Sequence, residues 1–306
     1  MGIDTATIKG TPVCTLHTSP LGVRFWDKAL QTVITSGLNV VAYPEANVEQ
    51  RMEGISNPSG VFVFHNLSGL QDFEYRGGER SWQQLDPWTE TPDQKAFTIE
   101  VRDRMGRFIP FLLKVKIPQR GLYLWEQRSA ASPPEPAVPF VPLFSAATRT
   151  VVPGMAVLRA DLWDPQTERP AAHALIEASY DGAPLAQGVA DSEGRVLIIF
   201  PFPEPARQPL SLSPVSPPRS PGIIPLRDQE WKIDLRAFYR SDSHLAAMPD
   251  LKALCEQPAG MLWQDKTLNE EMDHTLLQFG KESILRTKNG AEKLPVLYLT
   301  SAGSPP

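Results

Sequence analysis

Val23-Arg24-Phe25-Trp26-Asp27, followed by Leu38-Asn39-Val40-Val41-Ala42-Tyr43-Pro44, is the stretch that decides the fold, because the chain repeats it. The second copy reads Ala160-Asp161-Leu162-Trp163-Asp164, followed by Leu175-Ile176-Glu177-Ala178-Ser179-Tyr180. The Trp-Asp pair recurs 137 positions later, from 26 to 163, and the Tyr does so from 43 to 180. Runs of β-branched and aromatic residues of this length are typical of strands. The sequence therefore predicts two copies of one small β unit.

A second pair of related segments follows each copy of the repeat. Ser59-Gly60-Val61-Phe62-Val63-Phe64 in the first half is matched by Glu193-Gly194-Arg195-Val196-Leu197-Ile198-Ile199-Phe200 in the second. Asp191-Ser192-Glu193-Gly194 has some of the oxygen donors of a calcium loop but lacks the Asp-x-Asp-x-Asp-Gly series. A β-turn in which Gly194 takes a positive φ is the favoured interpretation, and Gly60 is expected to play the same part.

The strand pattern predicts an all-β protein of two tandem domains. Ala96–Asp103 and Trp231–Tyr239 alternate apolar and polar residues, as half-buried strands do. Proline-rich stretches separate the strand-rich regions, because proline fixes φ and has no N–H to donate. We expect a lead-in at 1–20, domain 1 at 21–127, a Pro-rich linker at 128–152, domain 2 at 153–242 with a Pro-rich insertion at 201–226, and a C-terminal arm at 243–306.

Composition and charge narrow the classes of function. The 306 residues carry 30 Lys and Arg against 35 Asp and Glu, a net charge of −5, and show no basic block. This balance argues against a nucleic-acid partner. No apolar run approaches the roughly 20 residues that a membrane span requires. Met1–Thr5 lacks the pattern of a signal peptide, so the sequence predicts a cytoplasmic protein.

No reactive constellation stands out, so we expect no enzyme activity, cofactor or metal. The five histidines are scattered, and no Cys-x-x-Cys accompanies them, which leaves a zinc site without ligands. Glycine-rich phosphate loops and the Gly-x-Ser-x-Gly elbow are also missing. Cys14 and Cys255 stand at opposite ends of the chain, and two buried free thiols are favoured over a disulfide.

Candidate interface residues are drawn from loops and from the arm. Trp26 and Trp163 occupy equivalent repeat positions and are interpreted as core anchors. The arm is expected to contain a short helix within Leu245–Cys255 and a hairpin at Asn289-Gly290. It either adds a strand to a neighbouring protein or folds back on its own domain. The candidate contact residues are Trp82, Trp88, Pro217, Ile223, Leu285, Leu297 and Tyr298.

The second unit resembles the carboxypeptidase regulatory-like, or transthyretin-like, domain. The resemblance rests on Trp163-Asp164-Pro165, on Pro170–Ala178 and on Asp191–Val196. In the first unit Asn57-Pro58-Ser59-Gly60 stands where the family has an Asp turn, so that unit departs further from the pattern. The resemblance implies that the two tandem domains are transthyretin-like or Ig-like β-sandwiches of seven or eight strands, without catalytic residues.

The whole chain is also similar to accessory proteins of phage-tail-like contractile injection systems. The resemblance lies in Arg24–Asp27, in Ser59–Tyr75, in Gly106–Pro110 and in Pro153–Asp164. It implies a non-catalytic structural subunit at the baseplate or at an end of the sheath or tube, with sheath, tube or baseplate proteins as partners. The alternative is a glycan- or cell-surface-binding module whose loop aromatics, Trp82 and Trp88, make the contact.

Overall fold

Nearly all regular structure in the protein is β-strand, as expected. The computed structural model describes residues 2–8, 11–78, 88, 93–126, 137–204, 226–242 and 247–301, with side chains described from residue 18 onward except at 72 and 75–78. The chain divides into two compact units. Unit 1 comprises Met1–Leu143 and Met248–Glu256, and unit 2 comprises Phe144–Ala247 and Gln257–Pro306.

Unit 1 contains twelve strands and two short helices within the described residues. In chain order they are β1 (Gly2–Ile8), β2 (Thr11–His17), β3 (Gly22–Asp27), β4 (Thr32–Val33), β5 (Leu38–Pro44), β6 (Met52–Glu53), β7 (Ile55–Ser56), β8 (Val61–Val63), α1 (Gln71–Glu74), β9 (Tyr75–Gly78), β10 (Lys95–Asp103), β11 (Phe111–Ile117), β12 (Val141–Leu143) and α2 (Leu251–Cys255).

These strands form three sheets. Their orders are β1-β2-β9, β11-β10-β5-β6 and β12-β3-β8-β7, with β4 also paired to β3. The chain passes from the second of these sheets to the third at Gly54, between β6 and β7. A corner of this kind is a feature of sandwich-like folds.

Strand β11 shows how the residue pattern produces the fold. Its buried residues Phe111, Leu113, Val115 and Ile117 alternate with side chains that face away from the core, which puts the apolar residues on one face. The strand begins directly after Pro110, which has no N–H for a ladder bond. Full burial of each such side chain contributes about 1.5–3 kcal/mol to folding.

Unit 2 is built around one large sheet. Its strands are β13 (Met155–Asp164), β14 (Arg169–Pro170), β15 (Leu175–Tyr180), β16 (Ala183–Val189), β17 (Arg195–Pro201), β18 (Glu230–Phe238), β19 (Ala259–Trp263), β20 (His274–Gln278), β21 (Ser283–Ile284), β22 (Lys288–Asn289), β23 (Glu292–Lys293) and β24 (Leu297–Ser301).

The order in this sheet is β14-β13-β24-β19-β18-β15-β16, with β17 and β21 also paired to β13 and β20 to β18. Strands β22 and β23 form a separate hairpin at Asn289-Gly290, where the sequence predicts one. The core draws on both the early and the late strands, for example Leu158 and Leu162 of β13, Ile233 of β18 and Leu299 of β24.

The sequence repeat is also a repeat of strand register. In unit 1, Trp26 pairs with Val33 and Asp27 with Thr32. In unit 2, Trp163 pairs with Pro170 and Asp164 with Arg169, each 137 positions later. A closing strand also runs parallel to the Trp-Asp strand in both units, with β12 beside β3 and β24 beside β13.

The second pair of related segments forms the same turn twice. Asp191 Oδ1 accepts the backbone N–H groups of Glu193 (2.9 Å) and Arg195 (3.0 Å). Asn57 Oδ1 accepts those of Ser59 and Val61 at 3.0 and 2.9 Å. Gly194 and Gly60 take φ values of 77° and 73°. The β-turn interpretation is confirmed. The first unit uses an amide where the second uses a carboxylate, and only the second adds an ion pair, from the Arg195 guanidinium to Asp191.

Three of the expected segment boundaries are corrected. Residues 1–20 are not an irregular lead-in, because β1 and β2 lie there and pair in register. The expected linker contributes Val141–Leu143 to unit 1 as strand β12, since Val141 pairs with Phe25. Residues 243–306 are not a separate arm. Strands β19, β20, β21 and β24 complete the large sheet of unit 2, and Met248–Glu256 belongs to unit 1.

The expected helix exists but is shorter, spanning Leu251–Cys255. Its buried residues are Leu251, Leu254 and Cys255, which are the three that the sequence places on one face. Cys255 is buried and forms no disulfide within the part of the chain that the structure describes. The side chain of Cys14 lies outside those that the structure describes.

Candidate interaction surface

The two repeat aspartates are buried and cap turns of the same shape. Asp27 is 1% exposed, and its Oδ1 accepts the N–H groups of Ala29 (3.0 Å) and Leu30 (3.2 Å). Asp164 is 0% exposed, and its Oδ1 accepts those of Gln166 (2.9 Å) and Thr167 (3.4 Å). A carboxylate that bonds to the backbone two and three residues onward makes an Asx-type turn. The repeated motif therefore encodes a capped strand end.

The repeat tryptophans are half-buried, so their interpretation as core anchors is wrong. Side chains alternate between faces along a strand, and the aspartates take the inward positions beside Phe25 and Leu162. The outward positions therefore go to Trp26 and Trp163. In this sequence the capping role of the aspartate decides which face the tryptophan occupies.

Unit 1 covers its tryptophan with an aromatic ring of its own. The rings of Trp26 and Phe140 are stacked, with centroids 5.1 Å apart and planes inclined at 28°. Phe140 precedes β12, the strand that runs parallel to β3. Trp163 has no such ring contact among the residues that the structure describes. The equivalent ring in unit 2 is therefore left without an aromatic cover from the described chain.

Three aromatic residues lie next to one another on the outward face of unit 2. Trp163 of β13 is in register with Tyr298 of β24, which is in register with Trp263 of β19. Residues opposite one another in a ladder share a face, with Cβ atoms about 4.5–5.5 Å apart. Their neighbours Leu162, Leu297 and Leu262 point to the core. We call Trp163, Tyr298 and Trp263 the aromatic row.

The polar atoms of the aromatic row differ in whether they are already bonded. Trp263 is 7% exposed, and its indole N–H donates to Thr300 Oγ1 at 2.9 Å. Trp163 and Tyr298 are half-buried. Within the described ranges, neither the Trp163 indole N–H nor the Tyr298 hydroxyl has a hydrogen-bond partner. The row thus combines apolar ring surface with unused polar groups, a combination that suits a binding surface.

The outward face farther along the same sheet is polar and provides a contrast. Lys232 and Arg236 of β18 are exposed there, and Glu177 of β15 lies in register with Arg236. Gln187 Nε2 donates to the Glu177 carboxylate at 2.6 Å. This part of the sheet has the character of a solvated surface, whereas the aromatic row does not.

The seven expected interface residues divide into four groups, of which Trp88 alone forms the last. Tyr298 belongs to the aromatic row. Leu285 and Leu297 are a correction, because both are buried in the core of unit 2 and their side chains are not available at its surface. Their positions on β24 and beside β21 make them part of the sheet that closes unit 2. Trp82, Pro217 and Ile223 lie outside the described residues.

Trp88 packs within unit 1. Its ring meets that of Phe73 edge to face, with centroids 5.0 Å apart. Sequence reasoning did not identify Trp163 as a half-buried residue of the outward face, and it did not single out the buried Trp263. The alternation of apolar residues in β13 signals that Trp163 and Leu162 occupy opposite faces, but it does not show which face is the core.

Two further buried polar side chains, Tyr239 and Glu74, have structural partners. The Tyr239 hydroxyl donates to Asp164 Oδ2 at 3.2 Å, and burial together with the nearby Asp164 carboxylate raises the pKa of this phenol. Glu74 is buried, which raises its pKa, and its carboxylate accepts the N–H groups of Asn66 and Leu67. Across the described ranges, no group of three or more His, Cys, Asp or Glu residues is placed to hold a metal ion.

Among the described residues, neither helix has the length and apolar character needed to cross a bilayer.

No known protein family matches the chain, and no curated protein is similar to it. One solved structure, a "putative adhesin from Bacteroides ovatus", aligns over 76% of this chain and 74% of its own, with 8% identity and a TM-score of 0.17.

Proposed function

We propose that the protein is a structural, non-catalytic subunit of a multi-chain particle of the phage-tail-like contractile type. The proposal is supported by the resemblance in Arg24–Asp27 and Pro153–Asp164 to accessory proteins of such systems. It is further supported by the buried carboxylates Asp27, Asp164 and Glu74, each of which accepts backbone N–H groups and so has a structural role. Its partners in the particle are the sheath, tube or baseplate proteins.

The aromatic row is the observation that carries the proposal. A half-buried Trp and Tyr side by side on an otherwise well-formed sheet are the residue types that dominate protein–protein contacts. Unit 1 covers its equivalent Trp26 with Phe140, and we propose that in unit 2 a partner subunit supplies the covering group. Many such contacts in fixed geometry give a particle its avidity.

We also propose that both units are transthyretin-like sandwiches. The matching registers of the Trp-Asp strand, the short strand after its turn and the parallel closing strand support a common origin for the two units. This family is expected to provide scaffolds without catalytic residues.

The test of the proposed function is purification of the native protein from its own cells, followed by mass spectrometry. We expect sheath and tube proteins to co-purify in amounts comparable to the protein itself. Recovery of the protein alone, at a salt concentration that preserves contractile particles, would count against the proposal.

A glycan- or cell-surface-binding module is the second candidate. The aromatic row also supports this candidate, because half-buried Trp and Tyr rings stack on sugar rings. A glycan array separates the two candidates. Binding to a defined glycan that disappears in Trp163→Ala would favour this alternative. An array without signal, together with co-purifying sheath protein, would favour the structural role.

A further inference from the structure

The aromatic row ends beside an acidic side chain. Trp263 of β19 forms an isolated antiparallel bridge with Glu271, so these two residues lie opposite each other in the sheet. Met272, the residue after Glu271, packs against the core, which puts Glu271 on the outward face with the row. Glu271 is exposed, and its carboxylate has no hydrogen-bond or ion-pair partner within the described parts of the chain. The row therefore leads from aromatic rings to a negative charge that the described chain does not neutralise.

The length of the row suits one long cationic side chain. Neighbouring strands lie about 4.7–4.9 Å apart, so about 14 Å separates Trp163 from Glu271 across the sheet. An arginine side chain combines an apolar stem with a planar guanidinium at its end. When the stem packs against Trp163, the guanidinium lies over Tyr298, where the long Glu271 side chain can meet it.

Unit 1 already holds an arginine by the same combination of groups. The Arg51 guanidinium lies over the Tyr43 ring, 4.9 Å from its centroid, and also bonds to the Glu100 carboxylate. Tyr43 of β5 and Glu100 of β10 belong to paired strands and share the outward face of their sheet. The ring attracts the cation, and the carboxylate adds a charge-assisted hydrogen bond. A ring and a carboxylate on a sheet face therefore suffice to hold an arginine in this protein.

A second arginine of unit 1 is held in a similar way. The Arg107 guanidinium lies 5.1 Å from the centroid of the Phe108 ring and donates to Asp103 Oδ1 at 2.9 Å. In unit 2 the aromatic row and Glu271 provide both kinds of group. Within the ranges that the structure describes, however, no arginine or lysine lies over a ring of the row. The row has the features of an arginine site whose arginine comes from elsewhere.

We propose that the aromatic row and Glu271 bind an arginine side chain of a partner subunit. The guanidinium stacks on the half-buried rings of Trp163 and Tyr298 and pairs with the Glu271 carboxylate. Arginine fits better than lysine, because its planar guanidinium stacks on rings and pairs with a carboxylate at the same time. The net charge of −5 disfavours a second copy of this chain as the source and favours a basic partner. The inference rests on the proposed function, which supplies the partner subunit.

A single arginine serves as the probe of the site in the full-length protein. N-acetyl-arginine methylamide is titrated into isotope-labelled protein, and N-acetyl-citrulline methylamide, which has nearly the same shape without the charge, is the control ligand. The indole N–H signals of the seven tryptophans are followed by NMR, and the Trp163→Phe variant identifies the signal of Trp163. We expect this signal to shift at least five times more with the arginine compound than with the citrulline compound.

Charge variants at two adjacent positions show whether the carboxylate takes part. Glu271→Gln should reduce the arginine-specific shift at least threefold. Glu270→Gln, the same change at the exposed neighbouring residue, should leave the shift nearly unchanged. The other indole signals check that each variant remains folded. A Trp163 signal that responds equally to the two compounds, or an equal response in the two variants, overturns the proposal.

The outcome for the arginine site is separable from that for the proposed function. In extracts of native cells, Glu271→Arg should lower the recovery of co-purifying sheath and tube proteins at least fivefold, and Glu270→Arg less than twofold. If these proteins co-purify equally with both variants, the arginine site fails and the structural role stands. If the arginine-specific shift is found in a protein that never joins a larger particle, the arginine site stands and the proposed function fails.

Discussion

Asp27 and Asp164 give the sequence repeat its structural role, because each caps the turn that follows its strand. Each is buried at the end of a strand and satisfies two backbone N–H groups of the following turn. The same turns place Gln31 and Glu168 at φ values of 53°. A non-glycine residue in this region is uncommon and is held there by its surroundings. The buried carboxylate therefore specifies the turn. Because the aspartate side chain points inward, the adjacent tryptophan lies on the outer face.

Replacing Asp164 by alanine tests this role. We expect the free energy of unfolding to fall by about 2–4 kcal/mol, because buried N–H groups and the Tyr239 hydroxyl lose their acceptor. Asp161→Ala, at an exposed position of the same strand, serves as the control and should change stability by less than about 0.5 kcal/mol. Urea unfolding measures both. Equal losses of unfolding free energy in the two variants would show that Asp164 does not stabilise the turn.

Gly194, in the Asp191–Gly194 turn, can be compared with Gly182, which has a similar backbone conformation but open surroundings. Both have positive φ, 77° and 74°. A Cβ on Gly194 would meet the Leu162 carbonyl oxygen at 2.4 Å, whereas a Cβ on Gly182 would meet nothing within 4 Å. We expect Gly182→Ala to cost about 1 kcal/mol from backbone strain alone and Gly194→Ala at least about 2 kcal/mol more. The same unfolding assay decides, and similar costs would contradict the close packing of this turn.

Asp103 makes the stability of unit 1 depend on pH. Burial alone would raise the pKa of this carboxyl, but hydrogen bonds from the Arg107 side chain and backbone, with the guanidinium charge, lower it below 3.8. The carboxylate is thus stabilised in the folded state at pH values above 3.8, and this contribution disappears as the pH falls through the lowered pKa.

The expected result is a loss of stability in strong acid that Asp103→Asn does not share to the same extent. Unfolding free energies of the two proteins, measured between pH 6 and pH 2.5, should converge as the pH falls. Parallel curves would show that the ion pair with Arg107 has no effect on folding.

At the scale of elements, the pairing of β24 explains why the expected C-terminal arm is instead part of the unit 2 sheet. The sequence places a β-prone run at Leu294–Thr300 but does not show which strand it joins, because pairing at long range leaves no mark in local periodicity. Strand β24 lies between β13 and β19 and buries Leu297 and Leu299. Deleting residues 286–306 would therefore disrupt folding and could not by itself test docking.

Neighbouring residues of β24 separate its core face from its outer face. Leu297→Ala should lower the free energy of unfolding by about 2–5 kcal/mol, because a fully buried side chain leaves a cavity. Tyr298→Ala, on the outward face, should cost less than about 1 kcal/mol. Thermal unfolding distinguishes them. A larger effect for Tyr298 than for Leu297 would mean that the face assignment of the aromatic row is wrong.

Several elements were predictable because their signal is local. The strands at 96–103 and 231–239, the Asn289-Gly290 hairpin and the turns at Gly60 and Gly194 follow from periodicity and turn chemistry. The outward position of Trp163 was not predictable, because tryptophan occurs both in cores and at surfaces. Its face is set by the turn that Asp164 caps, and that turn is visible only in the folded structure. The placement of residues 248–256 in unit 1 likewise depends on long-range contacts that the local sequence does not reveal.

At the scale of the whole molecule, we propose that the aromatic row of unit 2 makes the assembly contacts. The double variant Trp163→Ala/Tyr298→Ala should remain folded, because neither side chain belongs to the core cluster. We expect co-purification of sheath and tube proteins to fall at least tenfold. Lys232→Ala/Arg236→Ala, on the polar part of the same sheet, is the control and should have little effect. Equal recovery with both double variants would exclude the row as the contact surface.

The most direct test of the central claim is the sedimentation of the native protein in a gently prepared extract of its own cells. If the protein is the structural subunit that we propose, it should move with sheath and tube proteins in the fractions that contain large particles. Sedimentation of all the protein as a single chain of 33.9 kDa, apart from any particle, would contradict the account.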